Sequence, residues 1–350
     1  MSILEEGMLR CVRSSALWKP GAAAVAACSG GADSLALTDI MRKAGEADGV
    51  DVIVAHVQHH LRGAEAESDA QFVADYCAGH GLVFWRADVD PAALAARETL
   101  SLEDAARRLR YEALEACRQQ YAASGIFLGH HRDDQAETVL LNLIRGAGIR
   151  GLRGMLSVNG FLARPFLELS RRDTECYCGE EGLEYRTEST NDDESLKRNW
   201  IRRTLLPLLE TQNPQIRRQL AQLADVAAAD EAYLERQALR YMNAYGREVF
   251  GTWDIAAGAD FAALPLALQR AVIRVLVRRT GGGELSYDHV RKVLEMIAKG
   301  VGNKALDVPG HVRLIYVNGR LMAGKNERSR EAERAAKLAK KEQQRHASQY

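Results

Sequence analysis

Six residues near the N-terminus, Ser29-Gly30-Gly31-Ala32-Asp33-Ser34, are of the types needed to grip a phosphate chain. Gly30 and Gly31 lack Cβ atoms, so the backbone can turn sharply and bring N–H groups against phosphate oxygens, while Ser29 and Ser34 add hydroxyl donors. The apolar run Ala22 to Cys28 precedes them and a helical pattern from Ser34 to Ala44 follows, so a helix N-terminus adds its positive field. A Walker-type loop would end in Gly-Lys-Ser or Gly-Lys-Thr and a dinucleotide loop would read G-x-G-x-x-G; this segment is neither. On local chemistry alone, a plain glycine turn between strand and helix stays open. Asp33 weighs against it, because a carboxylate beside a phosphate cradle is repulsive unless a metal ion or an amine joins the site.

Two more segments rich in chemistry close later apolar runs: His56-Val57-Gln58-His59-His60-Leu61-Arg62, and Gly129-His130-His131-Arg132-Asp133-Asp134-Gln135-Ala136-Glu137-Thr138. In an open parallel sheet, ligands bind outside the carboxyl ends of the strands, so the three segments are expected to meet in one crevice. Asp134 and Glu137 are three apart and share a helix face. An acidic first turn that merely complements the helix dipole is the alternative. Adjacent histidines on a strand point to opposite faces, so structural or phosphate-contacting roles are favoured over a zinc cluster.

Ser29 to Ser34 look like the SGGxDS signature of the PP-loop ATP pyrophosphatases, which attack the α-phosphate of ATP, release pyrophosphate and leave an adenylated substrate. With the segments above, Ser101 to Arg107, Arg110-Tyr111, Arg145-Gly146-Ala147-Gly148, Arg164-Pro165-Phe166 and Arg198-Asn199, the chain resembles the tRNA(Ile)-lysidine synthetase family over nearly all of residues 20 to 210. The likeness continues more weakly over 215 to 324, where Asp307-Val308-Pro309-Gly310 resembles the end of that family's substrate-binding domain.

The resemblance implies that ATP adenylates the C2 carbonyl oxygen of the wobble cytidine in a CAU-anticodon tRNA(Ile). The ε-amine of free L-lysine then displaces AMP, and the lysidine so formed turns AUG reading into AUA reading. By the same likeness Ser29, Gly30, Gly31, Ala32, Asp33, Ser34 and His56 hold ATP, with Asp33 also on Mg²⁺. Arg110 and His130 face the phosphates or the adenylate, Asp33, Asp134 and Glu137 draw in the lysine ammonium, and Arg202 approaches the reaction. Arg145, Arg150, Lys197, Arg198 and Arg203 are the expected contacts to tRNA phosphates, with a solvated helix face as the bland alternative for the later ones. Against longer members of the family the chain is expected to lack a second C-terminal domain, and its zero net charge is unusual for a tRNA enzyme.

The elements that must position these residues read as α/β. Apolar runs at Ala22 to Cys28, Val50 to Val57, Leu82 to Ala87 and Ile126 to Gly129 predict at least four parallel strands, joined by helices over Ser34 to Ala44, Glu67 to Cys77 and Leu102 to Tyr121, the last opened by a capping box at Ser101 and Asp104. Gly146 to Leu156 and Glu188 to Glu194 read as loops. A long helix from Ile216 towards Tyr245 suits a connector, which places the catalytic domain at 1–212 and a smaller α+β domain at 213–324. That second domain is expected to hold a strand at Thr252 to Ile255, helices at Leu264 to Arg279 and Tyr287 to Ala298, and a hairpin over Lys304 to Met322. The tail, 325–350, is too poor in large apolar residues to fold alone.

Equal numbers of basic and acidic residues, 47 each, exclude a uniformly basic chain, so any RNA contact must be a local patch. The six scattered cysteines form no CxxC pair, and with no leader or membrane segment expected, a reducing cytoplasm fits. A homodimer is left open. The rival readings are a PP-loop tRNA 2-thiolation enzyme, for which Cys176 and Cys178 in a surface segment are a poor basis, and a non-catalytic nucleotide-binding module, which would not need Asp33, Asp134 and Glu137.

Overall fold

In the computed structural model, which describes residues 2–60, 64–186, 197–300 and 304–326, the apolar runs become strands of a mainly parallel sheet. The first part of the chain runs α1 (Ile3–Arg13), β1 (Ala23–Ala27), α2 (Ala32–Asp48), β2 (Asp51–Gln58), α3 (Ala64–Gly79), β3 (Val83–Asp88), α4 (Pro91–Glu98), α5 (Leu102–Gln120), β4 (Ile126–Leu128), α6 (Arg132–Ile144) and α7 (Ile149–Leu152). It continues through β5 (Val158–Asn159), β6 (Leu162–Ala163), α8 (Arg171–Glu180), α9 (Lys197–Trp200), a π-helical turn (Ile201–Leu205), α10 (Leu206–Gln212) and α11 (Ile216–Tyr245). The sheet order is β3-β2-β1-β4-β6-β5, and every pairing is parallel except β5 with β6.

Strand alternation divides β1 between two cores. Ala24 and Ala26 pack with Phe127 against α1, α2 and α8, whereas Val25 packs with Ile53 and Ile126 against Leu114 and Cys117 of α5. Helices on opposite faces follow β1 and precede β4, so these neighbouring strands form a switch point whose carboxyl ends open a crevice. The helix that leaves this point is anchored from behind. Asp39 of α2, 2% exposed, accepts hydrogen bonds from Tyr177 of α8 (2.6 Å), Tyr76 of α3 (2.8 Å) and Arg42.

Two local expectations are corrected. The segment with Cys176 and Cys178, expected at the surface, is α8, started by a reciprocal capping box between Ser170 and Asp173; Cys176 is exposed as expected, but Cys178 is buried. Gly146 to Leu156 includes the short α7. Arg62, Glu188 to Glu194 and the tail beyond Asn326 lie outside the described residues.

The chain divides into two compact units at Ala228–Ala229, inside α11, where the sequence pattern suggested 212–213. The second unit takes the rest of α11, then β7 (Gly246–Val249), β8 (Thr252–Ala256), α12 (Ala259–Ala262), α13 (Leu266–Arg279), α14 (Tyr287–Ala298), β9 (Lys304–Val308), β10 (Val312–Val317) and β11 (Arg320–Lys325). Its sheet is antiparallel in the order β7-β8-β11-β10-β9. Alternate residues Val312, Leu314 and Tyr316 of β10 turn inward onto Leu276 and Val293 of the covering helices. Among the described residues, no helix is long and apolar enough to cross a membrane.

Candidate active site

The loop from Cys28 to Gly31 joins β1 to α2 with Gly30 at φ +93°, a conformation that a Cβ would strain. Ser34 folds back over it: its hydroxyl accepts from the Ser29 N–H (3.1 Å) and donates to the Gly31 carbonyl (3.0 Å). Gly31 is the N-cap of α2 and offers no side chain, so no side-chain oxygen occupies the first N–H groups of a 17-residue helix. That is the arrangement an anion needs. Ala32 is buried under the loop, and His56 at the end of β2 braces it by a 2.9 Å hydrogen bond between Nδ1 and the Cys28 carbonyl. Burial pushes the His56 imidazole towards its neutral form.

The end of β4 comes very close to the start of α2. A Cβ on Gly129 would stand 2.7 Å from the Asp33 carbonyl oxygen, so only glycine permits the two segments to touch. The next residues carry the acids. His131 caps α6 in a reciprocal box with Asp134, and its Nε2 lies 3.4 Å from Asp33 Oδ2 and 3.5 Å from Asp134 Oδ2. Burial would discharge this imidazole, but the hydrogen bond to Asp33 and the charges of Asp134, Asp33 and Asp133 outweigh it and raise its pKa. Burial also opposes ionisation of Asp33, yet His131, the Thr174 hydroxyl and the Arg171 field hold its carboxyl below the usual range. Carboxylates from two separate segments thus flank one imidazole.

Glu137 is placed differently from expectation. It is 1% exposed and clamped by Arg198 Nε (3.0 Å) and by Arg202 Nε (2.5 Å) and Nη2 (3.1 Å), both arginines also reaching Asp134 Oδ1 at 3.6 Å. Its carboxylate thus pairs with two guanidiniums, and Arg198 is directed onto Glu137 and Asp134. Arg202 sits on the π-helical turn that follows Arg198 of α9; there the Leu206 N–H bonds back to the Ile201 carbonyl, and Pro207 has no N–H to offer the Arg203 carbonyl.

On the other side of the crevice His130 sits in the field of Arg164, Arg110, Arg198 and Arg107, which together with burial push its pKa well below the ordinary value. His130 Nδ1, Arg110 Nε and Arg164 Nε are buried with no partner among the described residues. Tyr111 joins them, accepting from Arg107 at 3.2 Å, its phenol made more acidic by the surrounding arginines against the effect of burial. Neutral imidazole among guanidiniums with open N–H groups is built to receive an anion.

Arg145 is exposed at the far end of α6, about 16 Å along the helix from Asp134 at 1.5 Å per residue. Arg150 lies on α7, Lys197 is exposed on α9, and Arg203 is exposed on the π-helical turn. Sequence reasoning missed a cavity of about 910 Å³ on the opposite face of the first turn of α6, lined by Arg132 and Gln135 and also by Arg164, Arg218, Glu168 and Asp225. Burial first, and then the charge of Glu168, raise the Asp225 carboxyl. The i, i+3 spacing of Arg132 and Gln135 was the available signal. Among the described residues there is no group of three or more His, Cys, Asp or Glu side chains placed to hold a metal. Cys28, Cys77, Cys117 and Cys178 are buried thiols, which gives 2-thiolation chemistry no exposed pair to use.

Residues 6–209 match the family model described as a PP-loop domain, and residues 259–322 match the TilS substrate binding domain. Proteins named tRNA(Ile)-lysidine synthase are similar: that of Geobacter sulfurreducens is 37% identical over 306 residues, covering 85% of this chain and 64% of the relative, and that of Geobacillus kaustophilus is 32% identical over 306 residues, covering 85% and 66%. The chain thus spans about two thirds of the length of these relatives. Among solved structures, the U34-tRNA thiolase NcsA from Methanococcus maripaludis shares the fold with a TM-score of 0.52 at 17% identity, covering 63% of this chain and 78% of that one.

Proposed function

We propose that this chain, which belongs to the PP-loop domain family, uses ATP to join free lysine to C2 of the wobble cytidine of a CAU-anticodon tRNA(Ile). The observation that carries the reading is the meeting, at the β1/β4 switch point, of an uncapped phosphate loop with the Asp33–His131–Asp134 cluster. The names of the curated relatives and the substrate-binding-domain match support it.

In the first step the cytidine O2 attacks the α-phosphorus and pyrophosphate leaves. The N–H groups at the start of α2 and the Ser29 and Ser34 hydroxyls hold the departing phosphates, and Arg110 with the open Nδ1 of His130 receives the charge that develops at the α-phosphate. Arg198 and Arg202, fixed by Glu137, add to that field. Mg²⁺ suits the two hard carboxylates of Asp33 and Asp134, since this ion takes one or two carboxylates and completes its shell with phosphates and water. When bound it neutralises charge on the leaving pyrophosphate.

In the second step the lysine Nζ bonds to C2, AMP leaves and the amine gives up a proton. The cavity behind α6 has walls of both signs, so Arg132 and Arg164 suit the lysine carboxylate while Glu168 and Asp225 suit an ammonium. Pyrophosphate release measured with ATP alone, with added tRNA, and with tRNA plus lysine tests the proposal. Release that requires tRNA, followed by lysine-dependent loss of AMP from the tRNA, is expected. Release independent of tRNA would refute it.

A further inference from the structure

The β7–β8 hairpin turns through two residues, Phe250 and Gly251, with Val249 paired to Thr252. Both turn residues have positive φ, +48° and +74°, the type I′ geometry that suits Asn-Gly or Asp-Gly and strains a bulky side chain. Phe250 is nevertheless fully exposed, so no contact among the described residues offsets either its strain or its contact with water. The hairpin lies at the edge of the second sheet, where β7 has a neighbour on one side only. Val249 beside the tip is also exposed, as is Tyr245 just before β7.

Charge indicates what such a ring meets. Residues 1–228 carry 26 Lys and Arg against 33 Asp and Glu, whereas residues 229–326 carry 14 against 10. The neutral total hides an acidic first unit and a basic second one, and a polyanion is drawn to the unit that bears the hairpin. Arg247, two thirds exposed although its Nε is paired with Asp254 at 3.0 Å, lies three residues before the tip, and Arg279 stacks over Trp253 on β8 at 4.6 Å. A flat apolar ring on a basic unit offers what an unstacked base needs, a sequence-tolerant π-face with phosphate-binding groups near it.

We propose that the tip of the β7–β8 hairpin is a stacking platform on which Phe250 receives an unpaired base of the tRNA. The inference rests on the RNA-modifying reading above and adds to it a contact outside the catalytic unit.

The test is equilibrium binding of tRNA to the full chain at several salt concentrations, with Phe250→Asn and Phe250→Tyr. Asparagine suits the turn, so that variant should melt at or above the temperature of the parent. Its Kd should rise about tenfold, the loss of one base stack. Because no ion pair is removed, the slope of log K against log salt should not change. Tyrosine, which keeps the ring, should bind as the parent does. Parent-like affinity in Phe250→Asn overturns the platform, as does a change in sedimentation without one in tRNA affinity, which would assign the ring to a second copy. A parent chain that binds no tRNA defeats the RNA reading and this inference with it, so the two failures are told apart by the parent alone.

Discussion

Replacing Glu137 by glutamine keeps the side-chain volume and removes a buried charge that two guanidiniums share. Taking one partner from a fully buried ion pair costs about 3–5 kcal/mol. Here Glu137 is 1% exposed, but the side chains of Arg198 and Arg202 retain 28% and 27% exposure and can recruit water. The lower end, about 3 kcal/mol, is therefore expected, or roughly 6–12 °C in the melting of a unit of this size. Loss of the anchor also frees both arginines, and misplacement by about 1 Å at a reacting centre costs roughly 100-fold. Thermal melts of the full chain, paired with single-turnover pyrophosphate release, read both effects. In an Arg202→Met background the same substitution should cost much less, since one of its two ion pairs is already gone. A Glu137→Gln chain that melts within about 1 °C of the parent, adenylates normally and shows only a raised KM for lysine would refute the clamp and return Glu137 to the amine.

Other substitutions separate the parts of the site. Asp33→Asn and Ser34→Ala should each abolish pyrophosphate release while the chain stays folded, as followed by circular dichroism. Glu168→Gln combined with Asp225→Asn should raise the KM for lysine about tenfold, one charge contact being worth about 1.4 kcal/mol, and leave that for ATP alone; equal lysine KM values would remove the cavity from the mechanism. Neutralising the exposed Lys197 and Arg203 together should flatten the salt dependence of tRNA binding by about two units of slope. The Asp39 carboxyl is held below its ordinary 3.8, since hydrogen bonds from Tyr177, Arg42 and Tyr76 outweigh the burial that would raise it. Its stabilisation is present above that pH and lost as pH falls through the lower folded value, so Asp39→Asn should flatten the acid side of the stability curve measured by urea unfolding.

The parallel strands were legible because each is a bounded apolar run. The expected Val50 to Val57 is β2 displaced by one residue, and Ile216 to Tyr245 is α11 as read. The short β5 and β6 were not, since two-residue strands carry no periodicity. The expected box at Ser101 is half formed: Asp104 N–H donates to Ser101 Oγ, but the Asp104 carboxylate takes the Ser101 hydroxyl rather than its backbone N–H. The better box at His131 went unread because histidine is an unusual cap. Asp33, Asp134 and His130 were singled out through strand-end position and motif. The partners of Glu137 were not, because pairing across 61 and 65 residues follows from packing and not from local pattern.

The π-helical turn gives the chain two registers in one continuous helical run. Ile201 and Leu206, five residues apart, are buried in the same cluster with Val139, although positions so spaced on an uninterrupted α-helix would diverge by about 140°. The widened turn lets the apolar seam stay in the core while Arg198 and Arg202 stay on Glu137. Deleting Thr204 would leave the composition of the site intact and force the segment to satisfy either its hydrophobic face or its ion pairs. In this protein the spare residue acts as a vernier between packing and chemistry, so insertions and deletions here are a different class of change from substitutions.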